Sequence, residues 1–130
     1  MNMEIREGLY YSEDHEWVRV EGDRACIGIT DFAQEHLGDI VFVEVPDLDS
    51  EFEAGATIGV IESVKAVSDM HTPVSGKVVA VNDALEDSPG ALNKDPYGQH
   101  IAVLAMSDRA DLDKLMNSAD YAAFCTREAE

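Results

Sequence analysis

The stretch Glu62-Ser63-Val64-Lys65-Ala66-Val67-Ser68-Asp69 sets a lysine between two short apolar half-strands, Thr57 to Ile61 and Val67 to His71. That pattern predicts a tight hairpin spanning about 57–71 with Lys65 at its tip. A lysine there projects into solvent from a rigid base. Its neutral amine is a nucleophile, and a modifying enzyme that is to acylate it must hold and deprotonate an accessible side chain. Acylation removes the charge and leaves a long arm. A turn lysine by itself is usually just solvated, so the neighbouring residues must decide.

Other chemistries find little support. The histidines at 15, 36, 71 and 100 have no ligand spacing and no clustered cysteine beside them, so no metal site is expected. There is no glycine-rich phosphate loop, no G-x-S-x-G motif and no paired acid and base, so the chain reads as non-catalytic. Cys26 falls in an alternating strand and Cys125 near a helical end. Both read as unpaired thiols in a reducing compartment.

The elements that must carry Lys65 are mostly strands. His15 to Glu21 alternates apolar and polar residues, Gly22-Asp23 makes a turn, and Ala25, Ile27 and Ile29 continue the alternation back. Glu16 and Trp17 are neighbours on that strand, so one of the two is expected to face outward. Thr30 offers an N-cap to a helix of about two turns that Gly38 stops. Asp39 to Val45 returns to strand until Pro46, and Pro46 to Ala56 is acidic and turn-rich. After the hairpin come a turn at residues 72–76 and a strand at 77–81. A long connection from Asn82 to Tyr97, with room for a turn and a short helix, leads to a last strand from His100 to Ala105. Helical spacing follows over about 108–126, with Ser118 the expected cap between two short helices. Many short strands with Gly or Pro turns predict a mainly β sandwich or barrel, with helices as appendages.

The 130 residues are read as one domain, 1–130. Nine Lys and Arg against 27 Asp and Glu give a formal charge of −18, against about 2–8 in magnitude for an ordinary small domain. Nucleic acid and anionic membrane surfaces are poor partners for such a chain. Self-repulsion favours a monomer, and basic patches on partners would attract it. No apolar run approaches the ~20 residues of a membrane span. Met1 to Tyr10 has no targeting character, so a cytoplasmic location is expected.

The residues around Lys65 resemble the lipoylation motif of glycine cleavage system H proteins almost letter for letter. The likeness continues through Tyr11-Ser12-Glu13-Asp14-His15-Glu16-Trp17-Val18, Gly28-Ile29-Thr30-Asp31-Phe32-Ala33-Gln34, Leu37 to Glu44, Pro73-Val74-Ser75-Gly76 and Asn93 to Gly98. It runs in register from about Leu9 to Phe124. The resemblance implies a flattened barrel-sandwich hybrid of two antiparallel sheets, of the lipoyl- and biotinyl-carrier type. It implies lipoate joined by an amide to Lys65. It implies three enzymes visited by the arm: a pyridoxal-phosphate glycine decarboxylase (P protein), a tetrahydrofolate-dependent aminomethyltransferase (T protein) and dihydrolipoyl dehydrogenase (L protein). A lipoylating enzyme is a fourth partner, and by the same resemblance Glu62 and Gly76 help it recognise the hairpin. The family also folds a loaded arm back into a cleft on the carrier, where alignment suggests Glu16 as the partner of the cationic amine, with Asp14, His36 and Asp69 around it.

An H-like protein that stores or relays lipoyl groups would use the same hairpin and is the alternative reading. A lipoyl domain of a 2-oxoacid dehydrogenase would carry an acidic residue where this chain has Val64, and a biotin carrier would flank the lysine with methionines. Two positions depart from the family pattern. Asp49 replaces a glycine sixteen residues before Lys65, and Asp is among the few residues that tolerate a positive φ should that turn need one. Gln99-His100 stands where members carry a Gly-Trp pair, so packing at that strand entrance must differ.

Overall fold

The structure, a computed structural model, describes residues 3–129. Among the described residues, nine strands form two antiparallel sheets. In chain order they are β1 (Tyr10–Tyr11), β2 (Glu16–Glu21), β3 (Arg24–Ile29), β4 (Ile40–Glu44), β5 (Glu51–Phe52), β6 (Thr57–Ser63), β7 (Val67–His71), β8 (Gly76–Val81) and β9 (Ala102–Met106). The larger sheet runs β1-β2-β3-β9-β8-β5 and the smaller β4-β6-β7. The mainly β, two-sheet expectation therefore holds.

Between the sheets, the inward residues of most strands form one apolar core, including Val18, Ile27, Val43, Ile61, Val78 and Leu104. A second cluster is aromatic and joins Tyr11, Trp17, Phe32, Tyr97 and Tyr121 with Cys26 and Cys125. Both cysteines are buried and free. The sole tryptophan, Trp17, is fully buried and donates its indole N–H to the Pro96 carbonyl at 3.0 Å. It lies flat against Gly28, where a Cβ would meet the ring at 2.5 Å, so only glycine fits.

Helix α1 (Asp31–Leu37) follows the sequence pattern closely. The Thr30 hydroxyl accepts from the Ala33 N–H, Asp31 sits in the first turn, and Gly38 closes the helix with φ 77° and ψ −154°. The connection after β8 holds two single-turn helices, α2 (Ala84–Asp87) and α3 (Ala91–Lys94), rather than one. A 3-10 helix (Arg109–Lys114) and then α4 (Ser118–Ala129) follow β9. Asn117, not Ser118, supplies the α4 cap: its side-chain oxygen accepts from the Asp120 N–H at 2.8 Å.

Two further expectations need correction. The acidic segment after Pro46 contains a strand, β5, which pairs with β8 through Glu51 opposite Lys77 and Phe52 opposite Gly76. Glu16 and Trp17 do not divide between solvent and core: they are 3% and 0% exposed. Period-two alternation puts them on opposite faces, but the first strand residue is covered on both sides here. Asp49 adopts φ 69°, the conformation its glycine-like position suggested. Among the described residues, no helix is long and apolar enough to cross a membrane.

Candidate functional site

The β6–β7 hairpin holds Lys65 in a turn whose hydrogen bonds come mostly from one serine. The Ser63 N–H donates to the Ala66 carbonyl at 2.8 Å, and the Ser63 hydroxyl oxygen accepts from the Lys65 and Ala66 N–H groups at 3.2 and 3.1 Å. The Val64 N–H donates to the Asp39 carbonyl at 3.0 Å, which ties the turn to the end of α1. Val64, Lys65 and Ala66 are all exposed on this firm base. Among the described residues Lys65 has no ion-pair partner.

The lysine side chain lies across Gly38. A Cβ on that glycine would sit 3.2 Å from Lys65 Cε, and its positive φ is one that other residues avoid. Glycine here both ends α1 and leaves a trough for the lysine stem. The residues present thus suit an acyl group on Lys65: the residue is exposed, has no ion-pair partner among the described residues, and runs its stem past a glycine that leaves it room.

Beside the trough is a cleft of about 320 Å³, walled by Asp14, Phe32, His36, Leu37, Ser68 and Glu128 among others. Phe32 forms its floor between two imidazoles, with His15 stacked at 4.3 Å and His36 at 4.0 Å. His36 Nδ1 donates to the Phe32 carbonyl at 3.1 Å, which pins its ring to α1. His15 Nδ1 shares a hydrogen bond of 2.8 Å with the Tyr121 hydroxyl of α4, and its Nε2 is 3.6 Å from Glu128. Burial pulls the His15 pKa down, opposed by Glu128.

Of the residues assigned to the cleft in advance, Asp14 and His36 are there and two are not. Asp69 is exposed on β7 opposite Val60, and Ser68 is the β7 side chain that reaches the cleft, because successive strand residues point to opposite faces. Glu16 lies behind the wall. Its carboxylate accepts from the Ser12 hydroxyl at 3.0 Å and from the His71 N–H at 2.8 Å. Burial pushes its pKa up to about 8, although those two hydrogen bonds favour the ionised form. Glu62 is half-buried on β6, in register between Phe42 and Val67. Gly76 is no turn glycine: it opens β8, and a Cβ there would collide with the Ala105 carbonyl of β9.

Ser68, Glu128 and His71 are not among the cleft residues expected from the sequence. His71 stands 55 residues from Glu16 and meets it from the end of β7, the edge strand of the smaller sheet. Linear spacing carries no signal for such a meeting. The fold brings one ligand atom each from Asp14, Glu16 and His71 within 4.8 Å of one another.

Two antiparallel sheets with an exposed lysine on a hydrogen-bonded hairpin turn place this molecule among carriers of the lipoyl and biotinyl type. Comparison with known proteins narrows the class. The family described as Glycine cleavage H-protein matches residues 9–128. The chain is 54% identical over 126 residues to the glycine cleavage system H protein of Thermoanaerobacter sp. (strain X514), covering 97% of this chain and 100% of that one. It is 57% identical over 126 residues to that of Syntrophomonas wolfei subsp. wolfei (strain DSM 2245B / Goettingen), with 97% of each covered. A crystal structure of a glycine cleavage system H protein from Mycobacterium marinum matches with a TM-score of 0.84 and 36% identity, over 92% of this chain and 97% of that chain. The chain belongs to the glycine cleavage H-protein family.

Proposed function

We propose that this protein is the lipoyl-bearing carrier of the glycine cleavage system, with lipoate in amide linkage to Lys65. The observation that carries the reading is the exposed, unpaired lysine on a turn fixed by Ser63, next to a trough and a cleft of the same molecule. When bound, a lipoyl group supplies a dithiolane on a long arm, which accepts the aminomethyl group of glycine by reversible thiol chemistry. The protein's own part is positional. Ser63 and Asp39 hold the turn, so the reach of the arm starts from a defined point. Tethering keeps the group from diluting into solvent, which raises its effective concentration at each partner.

The partners in this reading are the P, T and L proteins and a lipoylating enzyme. The chain itself does no catalysis and works in the cytoplasm. The cleft shelters the loaded arm between visits, with Asp14 at its surface and Glu16 behind. A cationic amine brought beside them would favour ionised carboxylates, whatever burial does to Glu16 beforehand. Glu62, flanked by exposed Phe42 and Val67, offers the lipoylating enzyme a mixed apolar and acidic face. Gly76 acts on that recognition only by keeping β8 and β9 close.

Intact mass and peptide mapping of protein from lipoate-supplied cells test the assignment. One lipoyl group on Lys65 is expected, and Lys65→Arg should fold normally, carry none and fail to support glycine cleavage in a reconstituted system. Activity retained by Lys65→Arg would overturn the carrier role. A lipoylated protein that transfers lipoyl groups but does not support glycine cleavage would favour the relay reading.

A further inference from the structure

Three side chains from two distant parts of the chain converge at the edge of the cleft. Asp14 precedes β2, Glu16 opens it, and His71 ends β7. Their candidate ligand atoms all lie within 4.8 Å of one another. A carboxylate pair alone would be an ordinary acidic spot on an acidic protein. The imidazole makes the difference. His71 Nδ1 is shielded from solvent and is the one buried side-chain nitrogen or oxygen among the described residues that has no hydrogen-bond partner. Asp14 Oδ2 is 3.7 Å from it, close enough for attraction but too far for a hydrogen bond.

We infer that Asp14, Glu16 and His71 form a binding site for a divalent transition-metal ion, Zn²⁺ in the first place. The donor set is one imidazole nitrogen and two carboxylates. Calcium and magnesium prefer oxygen alone, whereas zinc takes nitrogen and carboxylate ligands readily. Zinc holds such atoms at about 2.0–2.2 Å, which needs them closer together than they now are. Asp14 can supply the movement, since its side chain is 62% exposed and forms no hydrogen bond that would hold it back among the described residues. Glu16 is already oriented by the Ser12 hydroxyl and the His71 N–H, as the outer partners of a metal ligand commonly do. Water would complete the coordination. The strongly negative molecule also concentrates cations near its surface.

The site needs nothing on Lys65, but it shares Asp14 and Glu16 with the place proposed for the amine of a loaded arm, so an ion there would compete with that amine. A bound ion would tie the segment before β2 to the edge of the smaller sheet, joining parts of the chain now linked there by the Glu16–His71 hydrogen bond.

The test is calorimetric titration of ZnCl₂ into the full-length, unlipoylated, chelator-treated protein at neutral pH in a non-coordinating buffer. One site per chain is expected. His71→Asn and Glu16→Gln should each weaken it at least tenfold, while His100→Asn, away from the cluster, should leave it unchanged. Co²⁺ gives a second readout: its visible absorption should report a nitrogen-containing site in the wild type and be lost in His71→Asn. If either substitution unfolds the protein, wild-type NMR decides. Zn²⁺ should then shift the His71 ring signals ahead of those of His15, His36 and His100. Absence of a saturable site, affinity unaffected by both substitutions, or a shift led by another histidine overturns the inference.

Discussion

Gly28 shows how a single atom sets the position of a large side chain. Trp17 occupies the volume that a Cβ at residue 28 would need, and its indole N–H has one acceptor, the Pro96 carbonyl. Gly28→Ala should therefore cost about 1–3 kcal/mol through overpacking, read as a lower urea midpoint with an unchanged slope. The place of Lys65 on a hairpin turn was legible because its neighbours form a hairpin pattern. Glu16 was legible as a residue but not as an environment. Alternation says which face a side chain points to, and says nothing of what covers that face. The carboxylate proved to be buried on the hydrogen-bond donors Ser12 and His71, one of them from a strand far along the chain. His100, where the family resemblance led one to expect an aromatic, is half-buried, and burial pulls its pKa down.

At the scale of elements, α1 and α4 share a hydrogen-bond junction. The Thr30 hydroxyl that caps α1 also lies 2.7 Å from the Tyr121 hydroxyl of α4, which in turn meets His15 Nδ1. Tyr121 stacks on Tyr11 of β1 with ring centres 4.4 Å apart. Burial pushes the Tyr121 pKa far up, so it serves as a neutral hydroxyl. Tyr121→Phe keeps the stack and removes that hydroxyl. It should destabilise the fold by about 1–3 kcal/mol, because Thr30 and His15 lose a buried partner, and chemical denaturation would measure the loss. Long elements such as β2, β3, β6 and α1 could be read from periodicity and caps. The two-residue strands β1 and β5 could not, since two residues hold no period and their pairing is decided by the sheet they join. The 3-10 winding of residues 109–114 escaped for a related reason: six residues fit either helical spacing.

The whole molecule is governed by its formal charge of −18. Such self-repulsion opposes the compact state, and salt screens it, with a Debye length near 10 Å at about 0.1 M and ~3 Å at 1 M. Thermal unfolding at neutral pH should therefore shift upward as sodium chloride rises through that range, and a falling midpoint would mean that the ion pairs matter more than the net repulsion. The order of the larger sheet has a consequence of another kind. β3 and β9 are neighbours, with Ile27 opposite Ala102, so the sheet joins early and late parts of the chain. During translation, the outer edge of β3 must wait unpaired until Ala102–Met106 has left the ribosome. The hairpin bearing Lys65 emerges long before then, but the body that steadies it does not yet exist. An enzyme that recognises the folded carrier can therefore act only after this last strand is made, which separates the timing of modification from the order in which the residues are synthesised.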